Sequence, residues 1–335
     1  MKNKSGRVFI LGAGFSAGAG IPTCPTLLEH AMDLYKRELP DRYKDLEIVF
    51  ESGLFGKKPF NFKDIDLADL CTYFDYCNLT EAGMNNQRYI GVGRPEDFRA
   101  EIFKSFLAKA IVHRIPKTSA LPKMYMQFAK LLTNQDMVCT FNWDCIVEAC
   151  IHHIGKEYTY SVFPLHDYKD VILVNKLHGS VNWQVGDTLN DKKGWDRSYI
   201  DMDENLDVYF NDKEIEPSFW LKNRKGFNPP FMILPGFGKA YDVRVVAPLW
   251  ANWEFAFMKR KKIYIIGLSL APDDFFTRQM WKDCLHHLSQ AEIVIINPNA
   301  SVQNAFDFFK EMSNVRYIED KMSPEIIQAI NSGEL

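Results

Sequence analysis

Residues Val8 to Thr23 read VFILGAGFSAGAGIPT, an apolar run that passes directly into a glycine-rich turn. Val8, Phe9, Ile10 and Leu11, bounded by glycine, predict a short strand buried on both faces. Such strands belong to parallel sheets covered by helices. A parallel strand that ends in glycines points backbone N–H groups at whatever lies above it, and phosphate is the usual occupant.

Gly12 and Gly14 allow a tight turn and a close backbone approach. With Ala17 they even fit the G-x-G-x-x-A form of the dinucleotide fingerprint. That fingerprint also needs a continuous helix after the glycines and an acid about 20 residues on. Gly18, Gly20 and Pro22 break such a helix almost at once. The segment therefore reads as a loop over a ligand. The next helix is predicted from Thr26, with Thr26 and Glu29 as a capping box and Leu27, Leu28, Met32 and Leu34 as its apolar positions.

Lys2, Lys4 and Arg7 ahead of this stretch, and Ala17-Gly18-Ala19 at its end, sketch a signal peptide. The apolar core is too short and too interrupted by glycine for one. Seven cysteines, an odd number at 24, 71, 77, 139, 145, 150 and 284, form no C-x-x-C pair. They read as free thiols of a reducing, cytoplasmic protein. None lies between Cys150 and Cys284, which leaves no zinc ribbon in that part of the chain. With 47% hydrophobic and 25% charged residues, the chain has an ordinary globular composition. Its formal net charge of -3 gives no general attraction to nucleic acid. The run Lys259 to Lys262 suits a helix C-terminus. No apolar stretch is long enough to span a bilayer.

Two helical apolar stripes are visible in the first half. One is Phe98, Ile102, Phe103, Phe106, Leu107 and Ile111; the other is Leu121, Met124, Tyr125, Phe128, Leu131 and Leu132. Residues 85–93 between them read as a loop. Further strands are expected at Met137–Phe141, Val171–Lys176, Ile263–Gly267 and Ile293–Asn297. Helices are expected at Asp144–Ile154, Leu249–Met258 and Asp273–Leu288. Alternation of this kind predicts an α/β fold, a Rossmann-like parallel sheet with helices on both faces, plus a helical insertion. The expected domains are a core of 1–25 and 133–335, a mostly helical insertion of 26–132, and an irregular insertion or lid at 184–245.

Ligands of an open parallel sheet bind beyond the carboxyl ends of its strands. Five such ends carry polar residues: Gly12–Ser16, Thr140-Phe141-Asn142-Trp143-Asp144, Lys176-Leu177-His178-Gly179-Ser180, Gly267-Leu268-Ser269-Leu270, and Asn297-Pro298-Asn299. Singly, Asp144 reads as an N-cap, His178 as a loop histidine and Asn297 as a turn former. Together they converge on one edge of one sheet.

In this order GAGFSAGAGIP, TFNWD, LHG, GLSL and the strand-ending Asn297 resemble the sirtuin family, over residues 12 to 297. Departures from the deacylase pattern are the missing four-cysteine zinc ribbon, Thr23-Cys24 after Gly-Ile-Pro, and Phe141 before Asn142. The pattern is closer to the bacterial sirtuin-like NAD hydrolases of antiphage defence, which share T-x-N-[YW]-D, LHGS and an SL-x-x-x-D motif matched here by Ser269, Leu270 and Asp274. The resemblance implies NAD as substrate and no zinc. It implies that Gly12, Ala13, Gly14 and Ser16 bind the pyrophosphate, and that Phe15 through Ile21, Pro22 and Thr23 form a loop closing over the cofactor. Gly267, Ser269 and Asn297 then serve the phosphate and adenosine side, Leu270 and Asp274 are further implied cofactor-binding residues, and Asp144 serves the nicotinamide carboxamide. Asn142 and His178 are the implied catalytic residues, the first positioning water by the ribose and the second acting as general base.

The function implied is NAD hydrolysis to nicotinamide and ADP-ribose, by an effector of defence that depletes NAD. Alternatives are an NAD-dependent deacylase or ADP-ribosyl transferase, and an inactive NAD-binding module. A nicotinamide oxidoreductase is disfavoured by the helix break at Gly20-Ile21-Pro22. The resemblance also implies control by homo-oligomerisation or by a regulatory partner, such as an Argonaute-like or helicase-like ATPase. It implies no direct nucleic-acid binding and no membrane.

Overall fold

Twelve strands are found among the described residues: β1 (Arg7–Leu11), β2 (Met137–Thr140), β3 (Tyr158–Tyr160), β4 (Ile172–Lys176), β5 (Gly179–Val185), β6 (Leu189–Asn190), β7 (Asp196–Arg197), β8 (Ile200–Met202), β9 (Pro230–Met232), β10 (Lys262–Ile266), β11 (Glu292–Ile296) and β12 (Val315–Ile318). The computed structural model describes residues 6–51, 61–80, 100–116, 118–160, 171–185, 189–190, 196–197, 200–202, 230–236, 239, 243, 246–258, 260–271 and 274–335. The chain divides into two compact units, residues 1–20, 116–179 and 246–335 in the first and residues 21–115 and 180–245 in the second.

The first unit holds a seven-stranded sheet in the order β12-β11-β10-β1-β2-β4-β3. Every neighbouring pair is parallel. This is the α/β, Rossmann-like architecture expected from the alternation of strands and helices. From β1 the chain passes to β2, then to the edge strand β3 and back to β4 between them, and later crosses to β10 on the other side of β1. The switch point of the sheet therefore lies between β1 and β10, where open α/β sheets form their ligand crevice.

Period-two alternation decides which side chains face which layer. Val8, Ile10, Met137, Cys139, Ile263, Ile265, Ile293 and Ile295 point to one face. There they pack against Trp253 and Phe257 of the helix Ala247–Met258, Trp281 of the helix Phe275–Asp283, and Phe306 and Phe309. Phe9 and Tyr264 point to the other face. Phe9 meets Phe128 of the helix Lys123–Leu131 edge-on at 5.2 Å, and the Tyr264 hydroxyl donates to the Leu335 carbonyl at 2.7 Å. Both faces are thus covered, which is why the strands read as continuous apolar runs.

Register is pinned at the amino ends of β1 and β2. The Arg7 guanidinium donates to both carboxylate oxygens of buried Asp136, at 3.0 and 2.7 Å, and Asp136 also accepts the Thr133 amide at 2.8 Å.

Helices Cys24–Glu38, Pro40–Glu51, Leu67–Thr80 and Ala100–Val112 make up most of the described residues of the second unit. Tyr35 stacks on Phe106 at 4.6 Å, Phe74 meets Phe103 at 5.3 Å, and Lys109 pairs with Glu38. The expected stripe over Phe103, Phe106, Leu107 and Ile111 is buried; Phe98 and the expected loop at 85–93 lie outside the described residues. The unit also contains the small sheet β8-β5-β9, with β5 and β8 antiparallel.

Several boundaries differ from the sequence reading. The first helix of this unit begins at Cys24, not Thr26, with Thr23 at its N-cap and Pro25 in its first turn. Pro25 is suited to that turn because its missing N–H would have no partner there. The Thr26 hydroxyl donates back to the Thr23 carbonyl at 3.2 Å, so the expected capping box does not form. The helix Lys123–Leu131, read from sequence as part of the insertion, packs on the sheet instead. The expected helix 273–288 is two, Phe275–Asp283 and Leu285–Leu288, separated at Cys284. Asp273 lies outside the described residues, as does most of 184–245.

Candidate functional site

Five of the strands end in step. Register places Ile296, Ile266, Leu11, Thr140 and Lys176 in one row across β11, β10, β1, β2 and β4. The parallel ladder then continues one residue further into each following loop. Gly12 N–H donates to Ile266 O at 3.0 Å, Phe141 N–H to Leu11 O at 3.1 Å, Leu177 N–H to Thr140 O at 3.0 Å, Gly267 N–H to Ile296 O at 2.9 Å, and Asn297 N–H to Ile318 O at 3.0 Å. The polar motifs therefore leave the sheet at one level and on one edge.

The turn after β1 is a five-residue helix, Ala13–Ala17, that stops at Gly18. Gly20, at φ +90°, completes the break. This agrees with a helix interrupted before Gly-Ile-Pro. Gly14 N–H donates to Gly267 O at 2.9 Å and Phe15 N–H to Gly12 O at 2.9 Å. A Cβ on Gly12 would sit 2.5 Å from the Leu268 Cα. Gly12, Gly14 and Gly267 are thus required first by the approach of two loops to each other. With the Gly12, Gly14 and Phe15 amides engaged in backbone bonds, the exposed Ala13 and Gly14 are the part of the turn that faces outward.

Phe15 is an anchor within this unit. Its ring is buried against Tyr125 at 5.2 Å and Phe128 at 5.1 Å, and the Tyr125 hydroxyl donates to its carbonyl at 2.6 Å.

Asn142 joins the loop after β2 to this turn. Its side-chain amide donates to Gly12 O and to Ser16 Oγ, each at 2.9 Å, and its own backbone N–H donates to Thr140 Oγ1 at 3.0 Å. Both amide hydrogens are used, which leaves Oδ1 as the atom available to a ligand, acting as an acceptor. Asp144 is buried, and its Oδ1 accepts the Ile146 amide at 3.0 Å at the start of the helix Ile146–His153.

His178 leaves β4 two residues after Lys176. Its ring meets Phe141 edge-on at 5.0 Å and lies nearly parallel to Trp250 at 6.2 Å. Trp250 Nε1 donates to the Leu177 carbonyl at 2.9 Å, which fixes the indole beside the imidazole. Trp250 escaped the sequence reading because it sits on a helix distant in sequence, where an aromatic residue has the appearance of core.

On the other side of the switch point Asn297 Nδ2 donates to Leu268 O at 3.2 Å and Asn297 Oδ1 accepts the Asn299 amide at 3.0 Å. Ser269 is exposed between them in sequence, and Leu270 is buried at φ +47°. A left-handed leucine is strained, and such strain concentrates at functional loops. Asp274 caps the helix Phe275–Asp283 through the Thr277 amide at 3.0 Å. Ile21, Pro22 and Thr23 open the second unit, with Ile21 buried and the other two half-buried.

Among the described residues no three His, Cys, Asp or Glu side chains lie together as a metal site needs. No described helix is long and apolar enough to cross a membrane.

No protein-family model matches the chain, and none of the curated proteins does. Among solved structures it is similar to Sir2Tm bound to a propionylated peptide, at 12% identity and a TM-score of 0.43 over 99% of this chain and 94% of that one. It is similar also to a structure on sirtuin substrate affinity, at 13% identity and a TM-score of 0.44 over 99% and 95%. A third is Sir2 bound to acetylated peptide, at 12% identity and a TM-score of 0.42 over 99% and 94%.

Proposed function

We propose that the sheet edge binds NAD and that the chain hydrolyses its nicotinamide–ribose bond. NAD and water give nicotinamide, ADP-ribose and one proton. The observation that carries this reading is Asn142, whose amide spans Gly12 and Ser16 of the glycine turn while its loop runs beside the loop bearing His178.

The bond breaks through an oxocarbenium-like state at the ribose C1′, so the site gains most from groups that order water and charge there. Asn142 Oδ1 would accept from the attacking water or a ribose hydroxyl. His178 would take the proton, since imidazole ordinarily titrates near neutrality. Asp144 Oδ2 would accept from the nicotinamide carboxamide while its Oδ1 holds the Ile146 amide, the N-cap position of that helix being Cys145. Ala13, Gly14 and Ser16, on the β1 side of the switch point, would take the pyrophosphate. Gly267, Ser269 and Asn297 would take the adenosine side. A free hydrolase of this kind would drain its cell, so we place its control in oligomerisation or in a partner such as an Argonaute-like or helicase-like ATPase. Its role would be NAD depletion in antiphage defence, without zinc.

Chemistry at the NAD end is the same when an acyl oxygen replaces water. The test is therefore product identity. NAD is incubated with the protein, with and without an acyl-lysine peptide. ADP-ribose without peptide supports the proposal; turnover only with peptide, yielding O-acyl-ADP-ribose, replaces it with a deacylase.

A further inference from the structure

Lys176 ends β4 with its side chain wholly buried, as is that of Glu148 on the helix Ile146–His153. Its ammonium donates to Glu148 Oε1 at 2.8 Å and to the carbonyl oxygen of Asp144. The Tyr160 hydroxyl donates to the same Glu148 oxygen at 3.3 Å. Burial works against the charged form, but Glu148 beside it, with Cys145 and Asp144, outweighs burial and holds the Lys176 pKa above its ordinary value.

A buried ion pair is poor evidence of stabilisation, because apolar residues of similar volume usually serve as well. Folding alone gives no reason for a lysine here. What an apolar side chain cannot do is bond the Asp144 carbonyl. That carbonyl closes the segment Thr140–Asp144, which carries Asn142. Lys176 itself stands two residues before His178. The neighbouring bond from Leu177 N–H to Thr140 O, at 3.0 Å, joins the same two loops at their bases.

We propose that Lys176 is a positioning residue that locks the Asn142 loop to the His178 loop through the Asp144 carbonyl, with Glu148 as its buried counter-ion. Its kinetic consequence rests on the NAD-cleavage reading; the lock itself does not. A shift of one loop against the other would move the Asn142 amide relative to His178, and small misplacements of this kind are costly to a reaction.

Lys176→Met alone strands the Glu148 carboxylate in the core and is expected to lower the urea midpoint sharply. The full chain carrying Lys176→Met with Glu148→Leu removes both charges and keeps the volume. Three quantities are read on it: the urea midpoint, hydrogen exchange of the Asn142 and Ile146 amides, and kcat and KM for NAD. The lock predicts a midpoint near that of the parent, exchange at these two amides at least tenfold faster, and kcat at least tenfold lower with KM within threefold. Unchanged exchange at Asn142 and Ile146 overturns the proposal, whether or not the parent cleaves NAD. Faster exchange spread evenly over the chain with a fallen midpoint also overturns it, because the pair is then only structural. Faster local exchange in a chain that never cleaves NAD upholds the lock and removes the hydrolase reading instead.

Discussion

The amide of Gly14 donates to the carbonyl of Gly267 at 2.9 Å, so the turn after β1 and the turn after β10 touch through backbone alone. A Cβ on Gly267 would lie 2.4 Å from the Phe15 nitrogen, and Gly267 itself is at φ +63°. Gly267→Ala is expected to cost about 3 kcal/mol, from left-handed strain and collision with backbone. Gly20, at φ +90° with nothing within 4 Å of its would-be Cβ, is the control. Gly20→Ala should cost only about 1 kcal/mol. Urea unfolding of both variants checks the difference, and equal losses would contradict the contact.

Removing the Asn142 amide leaves the Gly12 carbonyl and the Ser16 hydroxyl without this donor. Asn142→Ala is expected to lower NAD turnover about a hundredfold, equivalent to about 2.7 kcal/mol of barrier. Ser16→Ala, which removes one of the two bonds, should lower it about tenfold. Steady-state kinetics on folded protein measures both. A wild-type rate in Asn142→Ala would rule out its catalytic role.

Trp250 holds His178 in two ways, by its ring and by its bond to the Leu177 carbonyl. Trp250→Phe keeps a ring and loses the bond; about a threefold loss of kcat is expected. Trp250→Ala loses both, and about a thirtyfold loss is expected with KM little changed, as suits a group that orients the proposed general base. The split between kcat and KM is the measurement.

Burial pushes the thiols of Cys139, Cys150 and Cys284 up from 9.0 to about 12. At pH 8 iodoacetamide should therefore leave these three unmodified in the native chain while exposed Cys24 reacts, as peptide mass analysis would show. The linkage has a definite sign. A folded-state pKa above the unfolded one favours the native protein fully below about pH 9, and the benefit is lost as pH rises toward 12. Urea midpoints should be flat up to pH 9 in respect of these groups and fall above it.

Much of the sheet was legible because its central strands are buried on both faces. The expected strands at 137–141, 171–176, 263–267 and 293–297 differ from β2, β4, β10 and β11 by at most one residue at either end. The strands missed, Tyr158–Tyr160 and Val315–Ile318, are the two edges of the sheet, one very short and the other interrupted by Arg316. Edge strands are solvated along one side, so their composition carries less signal. The convergence of the five polar loops was likewise legible, since it follows from the carboxyl ends of parallel strands. What could not be read was their bonding. Nothing in the sequence says that Gly14 meets Gly267, that Phe15 turns inward to Tyr125, or that Trp250 lies beside His178. These depend on contacts far apart in the chain. Lys176 did leave a trace, as the one charged residue closing the apolar run Ile172–Val174, but its partner Glu148 read only as a helix residue.

The most direct test of the central claim is chromatography of NAD incubated with the purified chain, alone and beside His178→Ala, without peptide or protein acceptor. The account predicts equal amounts of nicotinamide and ADP-ribose from the wild-type chain, and at least a hundredfold less from the variant. Intact NAD in every wild-type reaction, or equal cleavage by both chains, would contradict it.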